Sequence, residues 1–344
     1  MRSMPLINSH LLERERGDMK ENNPKKIKEK IINKLVSIRD QKITQEEDHN
    51  MSETMDENTR KKLKEILMSI TKNEIRLSYQ EAKEALPICS SKIGGKPAVP
   101  ADFQWPEFTA ESYDGITKSR PLSFMAQIRL EEVVSYDTEG ILPKKGVLSF
   151  FYEQMSMLWG YDPKHKGCAR VYYFPDETEL VAMDIPEDLE KDAVIPELAV
   201  TWDRHISLPV HGDFVEQYQD IDVSWDDYDK CSAECGYEID DWGDVTKLLG
   251  YPDTIQSPME EECESVSRGY RRGEPLDYAK ISETEKQEIE ERAADWILLF
   301  QMGTIETEDA EFMFGDCGHL YFWIRKQDLQ NLDFDKVWLI LQCS

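Results

Sequence analysis

The sequence predicts an α+β fold, a β-rich domain made of two internally duplicated halves with N-terminal helices. Three observations lead there. Short aromatic or β-branched segments, bounded by Gly, Pro or charged clusters, run through most of the chain. Helix-start signals stand between some of them. The segments also recur in the same order, which is the signature of an internal repeat.

Taken in chain order, residues 1–24 are polar, and Ile27, Ile31, Leu35 and Ile38 then recur at helical spacing between lysines. A loop rich in Asn, Asp, Glu and Ser follows from Gln45 to Asn58. A second helix is predicted to about Thr71, with Leu63, Ile66, Leu67 and Ile70 on one face. Strands are predicted at Leu122–Ile128, Val147–Tyr152, Arg170–Phe174, Ile297–Met302, His319–Ile324 and Val337–Gln342. Ser257-Pro258-Met259-Glu260 reads as a capping box with Pro at the first helical position. Ser282-Glu283-Thr284-Glu285 reads as a second, opening a helix that ends near Trp296. Residues 1–55 are thus an extension, partly helical or disordered, and 56–344 the folded body, with halves at about 75–200 and 201–344.

The repeat consists of four matched elements. Gly95-Lys96-Pro97, Phe124–Ile128, Gly146–Phe151 and Val171–Phe174 answer to Gly250-Tyr251-Pro252, Leu298–Met302, Gly318–Trp323 and Val337–Ile340. It singles out Gln127 and Gln301, each a polar residue in an apolar strand. A buried amide is costly unless its hydrogen bonds are met. Either each Gln bonds backbone at the seam between the halves, or both face a cleft there. In the second case Gln127, Gln301, Trp105, Lys92 and Asp316 are the residues expected to line a small-molecule or enzyme site.

Charge is unevenly placed. Residues 1–90 hold 18 basic and 16 acidic side chains, whereas 91–344 hold 23 and 53. So negative a body repels phosphate backbones and anionic lipid heads, which argues against nucleic-acid and membrane partners and for a basic one. The densest stretch is Asp213–Asp244, with twelve acidic residues against Lys230. Trp225, Tyr228, Tyr237 and Trp242 are interleaved there, adding flat rings to the charge. Asp226, Asp227, Asp229, Trp225, Tyr228 and Trp242 are the expected partner-binding residues. Seven cysteines without CxxC spacing, no leader-like h-region and no long apolar run predict a reduced, cytoplasmic protein.

Known chemistries find little purchase. In Gly94-Gly95-Lys96, Pro97 stands where a phosphate loop needs Ser or Thr. Cys231, Cys235 and Cys263 lack a second close pair for zinc. Cys317, beside His319 and Asp316, lacks an orienting third group. No catalytic residue, metal or cofactor is expected, and the reading leans away from an enzyme.

Ser91-Lys92-Ile93-Gly94-Gly95-Lys96-Pro97, with Pro100 and Trp105-Pro106, resembles the opening motif of the YwqG-like domains of unknown function. Pro121–Ile128, Leu142-Pro143, Gly146–Phe151, Phe314–Ile324, Asp328-Leu329 and Asp333-Phe334 are similar to later parts of that family, so the likeness spans roughly 75–344. It implies a bacterial, cytoplasmic protein of no established activity. Some relatives are suggested to act as immunity proteins beside secreted toxins, which suits an acidic surface. The function expected is therefore a protein-binding module for a basic partner, with the seam site as the alternative.

Overall fold

The computed structural model describes residues 55–112, 115–237, 245–308 and 311–344. The chain divides into two units at Asp56, and Glu57–Ser344 is the folded body. The helix expected near 25–40 lies outside the described residues. The second opens the body as α1 (Glu57–Ile70), with Leu63 and Leu67 buried.

The body is α+β and is dominated by a ten-stranded antiparallel sheet. Its strands are β1 (Lys72–Glu81), β2 (Lys92–Ile93), β3 (Ser123–Arg129), β4 (Val147–Tyr152), β5 (Ala169–Phe174), β6 (Leu198–Ser207), β7 (Thr246–Leu249), β8 (Trp296–Met302), β9 (His319–Arg325) and β10 (Trp338–Gln342). Across the sheet the order is β10-β9-β8-β7-β1-β6-β2-β3-β4-β5. The two ten-residue strands β1 and β6 pair along their whole length, from Lys72 opposite Ser207 to Glu81 opposite Leu198. From that pair, β2–β5 lead outward on one side and β7–β10 on the other.

Each arm thus adds its four strands outward in chain order, and single residues in the two arms stand in similar places. Lys92 stands opposite Gln127 on one side, and Lys247 opposite Gln301 on the other. A bulge sits between Phe124 and Ala126 in β3 and between Leu298 and Phe300 in β8. Both glutamines are fully buried. The Gln127 side-chain oxygen accepts the Ala98 N–H at 2.9 Å, while its NH₂ donates to the Ile88 and Ser90 carbonyls at 2.7 Å. The Gln301 oxygen accepts the Asp253 N–H, also at 2.9 Å, and its NH₂ donates to the Val245 carbonyl at 2.9 Å and the Asp253 carboxylate at 2.5 Å.

Each half joins the central pair through a lysine. Lys92 donates to Glu197 at 2.8 Å, and Lys247 donates to Glu74 at 3.0 Å. The turns that follow need a left-handed backbone, with Gly95 at φ +71° and Gly250 at φ +77°. A Cβ at Gly250 would lie 2.6 Å from the Ser207 hydroxyl, so glycine is required twice over.

The sheet curls until its edges approach one another. The Leu341 N–H donates to the Trp159 carbonyl at 3.1 Å, the Trp338 indole donates to the Gly160 carbonyl at 2.9 Å, and Tyr173 meets Phe334 with ring centres 5.5 Å apart. Inside the curl, Phe150 contacts Phe300 and Phe322 at 4.6 and 5.2 Å between centres. The outer faces are covered differently. Phe103, Trp105 and Phe108 cover Leu122, Phe124 and Phe151 on one side. On the other, helices α2 (His211–Gln217) and α3 (Trp225–Glu234) are followed in the chain by the covering helix, α4 (Glu260–Ser267). It lays Met259, Cys263 and Val266 on Leu298, Tyr321 and Trp323.

The six expected strands are present within a residue of their bounds at either end. The capping box at Ser282 is present and opens α5 (Glu283–Ala293). That at Ser257 is absent: α4 begins at Glu260 with Met259 as its N-cap. The Ser257 carbonyl is taken by the Gln342 NH₂, and the Glu260 carboxylate accepts the Met259 N–H, so the helix starts later. Among the described residues no helix is long and apolar enough to cross a membrane.

Burial makes the two lysine anchors unequal. Glu74 is 0% exposed, whereas the Glu197 side chain is 33% exposed. Lys247→Met should cost about 3–5 kcal/mol, because it removes the buried cation that Glu74 and Asp253 share, leaving Glu74 only Arg76 and Asp253 without a cation among the described residues. Lys92→Met should cost less, since water can reach Glu197. Urea unfolding of both variants checks this, and equal losses would contradict it.

Candidate functional site

The acidic-aromatic stretch forms a small helical layer. Its second helix, α3, begins where the sequence says it should. The Ser224 hydroxyl accepts the Asp227 N–H at 3.2 Å and donates to the Asp227 carboxylate at 2.8 Å. Acidic residues in a first turn also suit the positive end of the helix dipole. Asp227 is thereby held by its own helix.

Helical spacing then sorts the side chains. Tyr228, Cys231 and Ser232 turn inward, and the Tyr228 hydroxyl donates to the Pro209 carbonyl at 2.5 Å. Tyr228 is only 3% exposed, so it serves as a packing residue of the layer. Trp225, by contrast, is 61% exposed, the highest value among the aromatic residues of the described surface. One face of its indole rests on His211, with ring centres 4.6 Å apart. His211 is held in turn by a ring nitrogen 2.9 Å from the Val223 carbonyl. Asp226 is exposed beside Trp225, and Asp229 is half-buried near His211. Burial pushes the Asp229 carboxyl above its ordinary value, and His211 opposes that. Trp242 lies outside the described residues.

The layer already holds one basic element. Helix α1 packs against α3. Arg60 and Lys64 both pair with Glu234, the latter at 2.8 Å, and Lys62 pairs with Asp220 at 3.0 Å. These contacts pull the Glu234 and Asp220 carboxyls below their ordinary values. Among the described residues, Asp222 and Asp226 have no ion pair of this kind. The result is an acidic face that is neutralised on the α1 side and open around Trp225.

The five seam candidates do not converge on one place. Lys92 and Gln127 are neighbours across β2 and β3, both buried. Gln301 lies in the equivalent position of the other half, beside Lys247. Trp105 is on the outer face, where its indole donates to the Leu122 carbonyl at 2.9 Å and meets Phe151 edge-on. Asp316 is in an exposed turn, where its carbonyl accepts the Ser344 N–H at 2.9 Å.

Sequence reasoning missed Lys247, Glu74 and Asp253. Lys247 donates to Asp253 at 2.9 Å as well as to Glu74, and Arg76 adds a bond to Glu74 at 2.6 Å. These acids hold the buried ammonium well above its usual value, and Lys247 holds Asp253 below its own. The signal was available: Lys92-Ile93-Gly94-Gly95-Lys96-Pro97 and Lys247-Leu248-Leu249-Gly250-Tyr251-Pro252 align without a gap. Among the described residues no group of His, Cys, Asp or Glu is arranged to hold a metal ion.

Asp213, on α2, gives the layer a pH dependence. It accepts the Thr254 hydroxyl at 2.7 Å, yet burial raises its pKa from 3.8 to about 6. The native state then binds this proton more tightly than the unfolded chain does. Stability falls as pH rises from the unfolded to the folded value, and the cost is fully present above the latter. Asp213→Asn should stabilise the protein by about 1–3 kcal/mol at pH 8 and have almost no effect near pH 3. Urea midpoints at the two pH values check this, and an equal effect at both would contradict it.

A comparison with curated proteins finds no match. Residues 91–343 match a family model described as a domain of unknown function, DUF1963. That span runs from the start of β2 to the end of β10 and covers well over half of the chain, so the chain belongs to the family of DUF1963 domains.

Proposed function

We propose that this chain is a protein-binding module that takes a basic partner on the acidic face of α2 and α3. One observation carries the reading: Trp225 is an exposed ring, braced from behind by His211 and next in the chain to the exposed Asp226, which like Asp222 forms no ion pair among the described residues. A braced aromatic loses little freedom on contact, and neighbouring carboxylates favour Lys or Arg over its open face. Helix α1 supports the reading from within the chain, since it is a basic helix laid on the same layer.

The YwqG-like motifs at Ser91–Pro97 and Phe314–Ile324 support a bacterial, cytoplasmic setting and an immunity-like role for the module. A toxin or effector of basic charge is the partner it implies. The alternative, a small-molecule site at the seam, has weaker support. Phe150, Phe300 and Phe322 fill the interior between the halves, and both glutamines spend their hydrogen bonds internally.

The test is capture from the native host's lysate, with the full chain as bait at low and high salt. A basic protein should be retained at low salt and released at high salt. For that partner, Trp225→Ala should weaken binding by about 0.5–2 kcal/mol in calorimetry. The D226N/D227N/D229N protein should weaken it further. Unchanged capture by that triple variant would sink the proposal.

A further inference from the structure

The ring behind Trp225 is an imidazole, and its hydrogen bonding fixes where a second proton can go. His211 and Trp225 meet across α2 and α3 with ring centres 4.6 Å apart and planes inclined by 37°. A carbonyl oxygen only accepts, so the His211 Nε2 that lies 2.9 Å from the Val223 carbonyl carries a proton and donates it. In the neutral ring Nδ1 is then the bare nitrogen. A second proton enters at Nδ1, and the bond to Val223 stays made. Tyr228 stands edge-on to the same ring at 5.5 Å, with its own hydroxyl held by the Pro209 carbonyl. The charge of His211 can therefore change while its place under the indole does not.

The groups around the ring leave it that freedom. From α3 they are Trp225, Tyr228 and Asp229, and from the segment before α3 the Val223 carbonyl. Burial pushes the Tyr228 phenol up, so it keeps its proton. Asp229 is the charged neighbour, and Asp226 acts on it in turn. On α2 itself, Asp213 is tied to the Thr254 hydroxyl and is influenced by Glu216. Imidazole is the side chain whose charge ordinarily changes between about pH 5 and 8.

We propose that His211 is a pH switch for the Trp225 face, open to a basic partner when the imidazole is neutral and weakened when it is protonated. The inference rests on the partner-binding reading and supplies its regulation. An indole draws a cation through the negative face of its ring. An imidazolium on the rear side takes that role itself and places a like charge behind the spot where the partner's Lys or Arg must sit. It also offsets the charge of Asp229, so the face becomes less acidic. The change is electrostatic, since α2 and α3 keep their contacts in both states.

The full chain, with decalysine as probe, tests this at about pH 7.5 and about pH 5.5 at constant ionic strength. His211→Gln keeps an amide N–H for the Val223 carbonyl but cannot take the proton. One readout is the Trp225 emission, taken as the difference between chains with and without W225F. A protonated imidazole in contact quenches an indole, so this emission should fall at the lower pH, and far less in an H211Q background. The other is calorimetric affinity for decalysine, whose loss between the two pH values should be about twofold to tenfold greater in the wild-type chain than in H211Q. Carboxylates such as Asp213 titrate in both chains, so the comparison isolates His211. Trp225 emission that ignores pH in the wild-type histidine background overturns the switch even if H211Q folds poorly, and so does an equal loss of affinity in both chains. An emission change without decalysine binding at either pH supports the protonation switch and counts against the partner-binding reading instead.

Discussion

The two outer halves of the sheet are attached to one central strand pair, and each attachment is made by a buried lysine reaching a glutamate. Taking an ammonium out of water costs several kcal/mol unless a carboxylate meets it. Lys92 and Lys247 therefore fix where β2 and β7 lie against β6 and β1. The glutamine beside each lysine continues the constraint one strand outward. Each amide oxygen takes the N–H of the residue just past the turn, Ala98 or Asp253, and ties the departing chain to β3 or β8. Position and direction are thereby set together. Beyond those strands the sheet needs only ordinary pairing and the aromatic contacts of Phe150, Phe300 and Phe322.

Residues of the outer strands were legible in the sequence because they are buried on both faces. Val147–Tyr152 and His319–Ile324 read as continuous apolar runs, and both form strands. The central pair was not legible for the opposite reason. β1 reads Lys-Asn-Glu-Ile-Arg-Leu-Ser-Tyr-Gln-Glu, where charged residues take positions that burial alone would give to apolar ones. Glu74 is as buried as Ile75, but it is placed there by Lys247 and Arg76, which come from elsewhere in space or along the strand. No local pattern carries that information. At the acidic layer, spacing did reveal helices and charge, but it did not separate Trp225 from Tyr228. Three positions apart in α3, one ring faces outward and the other is packed under it.

Equivalent positions in the two halves also show how much can vary around a fixed frame. Phe151 and Trp323 occupy matching places on the outer face, one covered by Phe103 and Trp105 and the other by α4. Loop and helix do the same work, since both supply apolar area over an aromatic strand. Helix α4 adds a polar lock: Glu264 accepts the Trp296 indole at 2.9 Å and an Arg325 nitrogen at 2.7 Å. A buried carboxylate needs such partners to stay ionised, and these help hold its pKa down despite the burial.

The substitution of Asp253 for Ala98 between the halves has a further consequence. Ala98 offers only its backbone to Gln127, whereas Asp253 offers both its N–H and its carboxylate to Gln301. The same carboxylate reaches Lys247, so in this half the amide and the ammonium share one acid. The first half keeps them separate, with Lys92 on Glu197 and Gln127 on backbone alone. A change at Asp253 therefore removes a partner from Lys247 and from Gln301 together, whereas a change of side chain at Ala98 leaves the backbone bond to Gln127 and the Lys92–Glu197 pair in place.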